Sequence, residues 1–291
     1  MKATSTACAT SLIAASLLLM AANGVRAAQY EWTFSQGDLS PALGNGIMSY
    51  ADGVITAALT TFGTTDGSTV PHIGGQPATY MHVLQLAGLG NGYHLKFNDS
   101  GANGGGGYIN QYTVMYDVYL PGAAGWTALF NADPENTSGN DGDFYIAPDG
   151  GIGIGAGGYS AAGTIAPNTW YRIGFTVDLA AGASSTYVNG LLVKQNFGGL
   201  YALDGRFSLY SNADTLPSLL LFNEGDPSGI YTHELYVSSV YFTDQTLNPS
   251  QMAALGGPNA AGIAPVPEPG TWALLGMGAL AFAFWRRQWK K

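Results

Sequence analysis

From Trp170 to Asp178 the side chains alternate. Tyr171, Ile173, Phe175 and Val177 fall on one face, and Trp170, Arg172, Gly174, Thr176 and Asp178 on the other. A period of two is the period of a strand, and this one predicts one buried and one open face. A short way on, Asn189-Gly190 separates "STYV" from "LLV". That pair tolerates the two positive φ angles of a type I′ turn, so it predicts a tight hairpin. The same texture runs through the middle of the chain. "ATYMHVLQL", "QYTVMYDVYL", "WTALFN", "RFSLYS", "SLLLF" and "HELYVSSVYF" all read as strands between Gly, Asn, Asp or Pro turns. One helix is expected, "NPSQMAAL", with Asn248 as cap, Pro249 at its first position, Gln251 closing a capping box and Gly256 ending it. Many short strands joined by polar turns predict an all-β sandwich or jelly roll.

The two ends read differently. Lys2 precedes a mostly apolar run, Leu12 to Ala22, and Val25-Arg26-Ala27 puts small residues first and third before a cut. This predicts a signal peptide over residues 1–27, with an N-terminal helix, removed after Ala27. At the other end, Val266-Pro267-Glu268-Pro269 is a stiff, non-helical lead, because proline lacks an N–H and restrains its predecessor. Thr271 to Trp285 is apolar and uncharged, and Arg286, Arg287, Lys290 and Lys291 follow. As a helix the apolar run spans about 22 Å. With Trp272, Trp285 and Trp289 at the interfaces it predicts a transmembrane helix whose basic end stays on the cytoplasmic side. Residues 28–260 are left as the folded domain and 261–291 as the tail.

The single cysteine, Cys8, lies in the leader, so the mature chain is expected to have no thiol chemistry. Without its ends the chain keeps only Lys96, Arg172, Lys194 and Arg206 as cations against nearly all of its acidic residues. That balance argues against nucleic acid as a partner and is compatible with cations such as Ca²⁺.

The triplet Pro267-Glu268-Pro269, one apolar helix and the Arg286-Arg287 end resemble the PEP-CTERM sorting signal of Gram-negative bacteria. The resemblance covers Val266 to Lys291. It implies recognition by an exosortase, processing near the triplet, an inner-membrane-anchored precursor, and a mature protein at the cell surface or outside, often beside exopolysaccharide or biofilm systems. A second resemblance rests on "QYTVMYDVYLP", "ALFNADPENTSGNDGDFYI", "GGIGIG", "NTWYRIGFTVDL", "YVNGLLV" and "ELYVSSVYFTDQTLNPSQMAALGG". In that order these are similar to the laminin-G (LamG) and pentraxin group of the concanavalin A-like lectin/glucanase superfamily. It implies a jelly roll of two curved antiparallel sheets that binds glycans or proteins, often with Ca²⁺, or hydrolyses polysaccharide.

Among the candidate chemistries, hydrolysis needs two carboxyl groups at a set separation. Glucanases of that superfamily carry Glu-x-Asp-x-Glu on one strand, and this pattern is missing. Glu224-Gly225-Asp226 runs into Pro227 and reads as a turn, and Glu234 is followed by Tyr236 and Ser238 where acids are needed. No enzymatic activity is therefore expected. For Ca²⁺, "NADPENTSGNDGDF" offers Asp133, Asn136, Asp141 and Asp143, with Glu135, in one loop-rich stretch; a solvated turn uses the same residues. Gly153 to Gly158 matches G-x-G-x-x-G, but no helix pattern follows, so a glycine-rich hairpin is expected rather than a nucleotide site. For glycan binding, Trp126, Trp170 and Tyr236 are the candidate open-face aromatics. The expected role is an exported, non-catalytic surface or matrix protein that engages polysaccharide or a surface protein. The alternatives are a secreted polysaccharide hydrolase and a purely structural component.

Overall fold

A computed structural model of the chain describes residues 27–84, 92–122, 125–133, 142–210, 219–223 and 233–263. Within them fifteen strands form two sheets, every pairing antiparallel. The larger sheet runs β13 (Leu191–Phe197), β12 (Ala183–Val188), β11 (Trp170–Asp178), β6 (Gln111–Tyr119), β15 (Glu234–Thr243), β4 (Thr79–Leu84), β3 (Thr61–Thr64). The long β15 is shared along one edge. Its first half pairs β4 and its second half pairs β1 (Gln29–Trp32). The smaller sheet runs β10 (Gly158–Tyr159), β9 (Ile152–Ile154), β8 (Asp143–Ile146), β7 (Thr127–Asn131), β14 (Leu219–Leu221), β5 (Tyr93–Lys96), β2 (Ile47–Tyr50). The expectation of an all-β sandwich of two antiparallel sheets holds.

Period-two burial makes the core. Ile173, Phe175 and Val177 of β11 face Leu129, Phe144 and Ile146 of the smaller sheet, and all are buried. Phe144 stacks on Phe175 with centroids 4.5 Å apart, and Phe97 stacks on Phe242 at 3.6 Å. Each such ring removes roughly 150–250 Å² from water, which lets a chain without disulfides close on its core alone.

Local signals translate directly. Asn189 and Gly190 take φ of 50° and 79° between β12 and β13, the positive angles a I′ turn requires. Helix α2 (Pro249–Leu255) begins at Asn248, whose side chain accepts from the Gln251 N–H while the Gln251 side chain accepts from the Asn248 N–H. Gly153 and Gly158 sit in the β9–β10 hairpin, not before a helix.

Three expectations are corrected. "RFSLYS" is not a strand; only Leu209 bridges, to Ile109, while Arg206 and Phe207 turn. Phe207 and Leu209 are buried all the same, so the alternation records burial without a ladder. The expected single helix is joined by α1 (Ile55–Leu59) and a 3₁₀ turn, Gly199–Tyr201. The face of β11 expected to be open is covered: Trp170, Arg172, Gly174 and Thr176 are buried. The cover is the chain after β15. Thr246 Oγ1 donates to Val177 O at 2.6 Å, the Leu247 N–H donates to Thr113 Oγ1 at 2.9 Å, and Met252 of α2 rests where a side chain at Gly174 would stand.

Among the described residues no helix is long and apolar enough to cross a membrane. The expected signal helix and the Thr271–Trp285 span lie outside the described residues.

Candidate functional site

On β4, Met81 and Val83 point into the core, so Tyr80 and His82 point out. On β15, Leu235 and Val237 point in, so Glu234 and Tyr236 point out. Register then aligns these outer residues. Thr61 of β3 pairs His82, His82 pairs Tyr236, Tyr236 pairs Tyr119 of β6, and Tyr119 pairs Trp170 of β11. Five strands thus contribute one residue each to a row across the outer face, four inter-strand steps or about 19 Å long.

The middle of the row is a bonded cluster. The His82 ring stacks on Tyr236 with centroids 4.5 Å apart and planes 18° apart. Tyr80 meets Tyr236 edge-on at 5.0 Å. His82 Nε2 lies 2.8 Å from Glu234 Oε1, and the Tyr236 hydroxyl donates to the same oxygen at 2.9 Å. His82 Nδ1 lies 3.4 Å from Thr61 Oγ1. A carboxylate only accepts, so in this network Nε2 carries a proton. Glu234 Oε2 takes no hydrogen bond from a described residue, and the side chain is 41% exposed. Burial, then the bond to Glu234, pushes the Tyr236 phenol up to about 12, so it stays a donor at neutral pH.

Toward β11 the row closes. Tyr119 meets Trp170 at 5.6 Å, and the Trp170 indole N–H donates inward to Pro71 O at 2.7 Å. Val70, Ile73 and Ala78 pack with them, leaving Trp170 only 8% exposed. The open-face position expected for Trp170 is therefore corrected: the segment around Val70–Ile73 covers it. Tyr236 is half-buried and, with Tyr80, packs against the edge of this cluster. Trp126, just before β7 of the smaller sheet, meets Tyr145 at 6.1 Å and Tyr159 at 5.6 Å, both edge-on, while its neighbour Gly125 lies against His233, the residue before Glu234. The sequence candidates thus divide between two places, and Tyr236 brings in Tyr80, His82 and Glu234. Alternation in "ATYMHVL" already put Tyr80 and His82 on one face; nothing local paired that face with Glu234, 152 residues away.

One row further along the same face, Arg172 pairs Asp117. Its Nε donates to Asp117 Oδ1 and its Nη2 to Oδ2, both at 2.7 Å. Nη1 and Nη2 also donate to Leu255 O and Gly262 O. Burial pushes the Asp117 carboxyl upward; the guanidinium opposes it. Glu31 closes this cluster by accepting from the Ile263 N–H, and burial raises its carboxyl to about 7. These groups clasp the covering segment and are almost shut off from solvent.

Asp133 and Asp143 flank the β7–β8 connection: the Asp133 N–H donates to Asn131 Oδ1 at 2.7 Å, and Asp143 pairs Asn131 in register. Asn136 and Asp141, with Glu135, lie outside the described residues, as do Glu224 and Asp226 and the sorting residues Pro267, Glu268, Pro269, Arg286 and Arg287. Among the described residues no three His, Cys, Asp or Glu side chains gather as a metal site. Ala27 is the first described residue and is buried.

Several solved structures are similar in fold. Domain 4 of AbnA, a GH43 extracellular arabinanase from Geobacillus stearothermophilus in complex with arabinotriose, is 17% identical with a TM-score of 0.48, over 79% of this chain and 98% of that one. The binding domain of Paraclostridial Mosquitocidal Protein 1 is 14% identical with a TM-score of 0.48, over 79% of this chain and 51% of that one. The botulinum neurotoxin serotype G binding domain is 14% identical with a TM-score of 0.45, over 78% and 50%. Likenesses at this level assign neither a ligand nor an activity to this chain. No curated protein matches it. Residues 265–288 match the PEP-CTERM protein-sorting motif, and they begin where the compact unit Ala27–Ala264 ends. The chain therefore carries the C-terminal sorting signal of an exported, exosortase-processed protein.

Proposed function

We propose that this is a non-catalytic, LamG-like module that holds an extracellular polysaccharide on the outer face of its larger sheet. The supporting observation is the row Thr61–His82–Tyr236 with Glu234 and Tyr80 beside it. Aromatic faces suit the C–H faces of a sugar ring. Glu234 Oε2, unclaimed by any described residue, accepts from a sugar hydroxyl, while Oε1 is held by His82 and Tyr236 and keeps the carboxylate in place. The cluster is pre-bonded, so little side-chain entropy is lost on binding. The row's length, about 19 Å, suits an extended chain of several sugar units.

The hydrolase alternative needs a second carboxyl group about 5–5.5 Å, or about 6.5–9.5 Å, from the first. The described groups bonded to Glu234 are an imidazole and a phenol, and release of reducing ends is the outcome that would favour the hydrolase. Ca²⁺ binding at Asp133, Asn136, Asp141 and Asp143 belongs to the same proposal, as a second and separate site on the β7–β8 connection. In the proposed life cycle the precursor is anchored in the inner membrane of a Gram-negative bacterium. An exosortase processes it near Pro267-Glu268-Pro269, and the domain then works at the cell surface or in the biofilm matrix.

A glycan array probed with the exported chain, with and without Ca²⁺, tests this. Retention of acidic or neutral polysaccharide by the wild type and its loss in Glu234→Gln is the expected result. No retained glycan, or release of reducing ends on incubation, would overturn it.

A further inference from the structure

The start of the domain carries a bond that export would transform. The Ala28 N–H donates to Asp244 Oδ1 at 2.9 Å, and the Asp244 N–H returns a bond to Ala28 O at 3.3 Å. These extend the β1–β15 ladder by one step beyond Gln29↔Thr243. Asp244 is half-buried, and burial raises its carboxyl, opposed by the Ala28 N–H and by Ser100. The other titratable groups facing this spot are Tyr30 and Asp99, neither of them a cation at neutral pH. Among the described residues no ion pair involves Asp244. A partly desolvated carboxylate thus meets only neutral donors, the Ser100 hydroxyl, its own N–H and the Ala28 N–H, and the last belongs to the residue after the expected cut.

We propose that Asp244 is the receptor for the α-ammonium group that leader removal creates on Ala28. The inference rests on cleavage after Ala27. Water adds across the Ala27–Ala28 amide, leaving a carboxylate on the departing Ala27 and an ammonium on Ala28. The acceptor stays where it is, and the neutral donor becomes a charged one with three N–H bonds to offer. Such charge-assisted bonds are about twice as strong as neutral ones. The cut register and the carboxylate register agree. A cut one residue later would put Arg26 at the third position before it, where a small residue is required, and would delete the donor. Maturation would therefore add an ion pair to a strand pairing that is already formed. The folded ammonium's pKa is raised by its partner, so the added stability is fully present below the unfolded α-amino value, about 7.7–8.0. It is lost as pH rises through the folded value.

The test uses the full chain exported by a Gram-negative host with its own leader. Mass spectrometry of the N-terminal peptide should begin at Ala28. Competitive acetylation of the α-amine across roughly pH 6–10 should give a pKa about one unit above the ordinary value, returning to ordinary in Asp244→Asn. A different first residue, or an ordinary α-amine in the wild type, would overturn the proposal. Should Asp244→Asn not be exported, the wild-type titration decides alone, against the same peptide unfolded in urea.

Discussion

Arg172–Asp117 and His82–Glu234 occupy the same outer face of the same sheet, one cross-strand row apart, and have opposite fates. The first pair is at most 4% exposed, bidentate, and bonded onward to Leu255 O and Gly262 O. The second is 19% and 41% exposed and leaves one carboxylate oxygen unclaimed by any described residue. The difference comes from the covering chain. Residues 246–263 cross β11 and β6 and turn a charged face into an interior, while β4 and the start of β15 keep theirs open. A charge pair under a strap is a clasp; the same chemistry without a strap is available to a ligand.

The largest test of that contrast is to break the clasp. Asp117→Ala leaves Arg172 buried and unpaired, and should cost about 3–5 kcal/mol in urea denaturation. A loss under about 1 kcal/mol would mean that the strap is not held by charge. Glu31 gives the next effect. Its carboxyl ordinarily titrates at 4.5 and is raised here to about 7 by burial and by Asp117, while the Ile263 N–H and Arg172 oppose. The unfolded chain then releases this proton first, so stability should fall as pH rises from about 4.5 to 7. Glu31→Gln should remove that slope and add on the order of 1–3 kcal/mol at neutral pH, read from denaturation curves across the window.

On the open side the effects move from stability to binding. Glu234→Gln should change stability by less than about 1 kcal/mol, since exposed pairs contribute little. Glycan affinity should fall about tenfold, or about 1.4 kcal/mol by calorimetry. The smallest effect is local to the strap. Asn248→Ala removes half of the capping box and should cost about 1 kcal/mol, with glycan binding unchanged.

Much of the fold was legible because its signals are local. The Asn189-Gly190 turn, the Asn248–Gln251 box and the alternation of β11's core face each depend on a few neighbours in sequence. The outer face of β11 was not legible, because its cover comes from the chain after β15. Gly174 is the one clue: a strand residue without a side chain, where Met252 now packs. Tyr236 was legible as an outward aromatic, but nothing in the sequence joined His82 to Glu234. Glu234 lies on a strand whose register no local pattern sets, while Trp170 was misjudged because the cover comes from the distant segment around Val70–Ile73.

Titration calorimetry of a retained glycan into three exported chains tests the account most directly: wild type, Tyr236→Ala and Trp126→Ala. The two aromatics make their ring contacts in separate clusters, so the two substitutions remove different surfaces. The account predicts that Tyr236→Ala abolishes the binding heat and Trp126→Ala leaves it intact. Heat lost in Trp126→Ala and kept in Tyr236→Ala would contradict it.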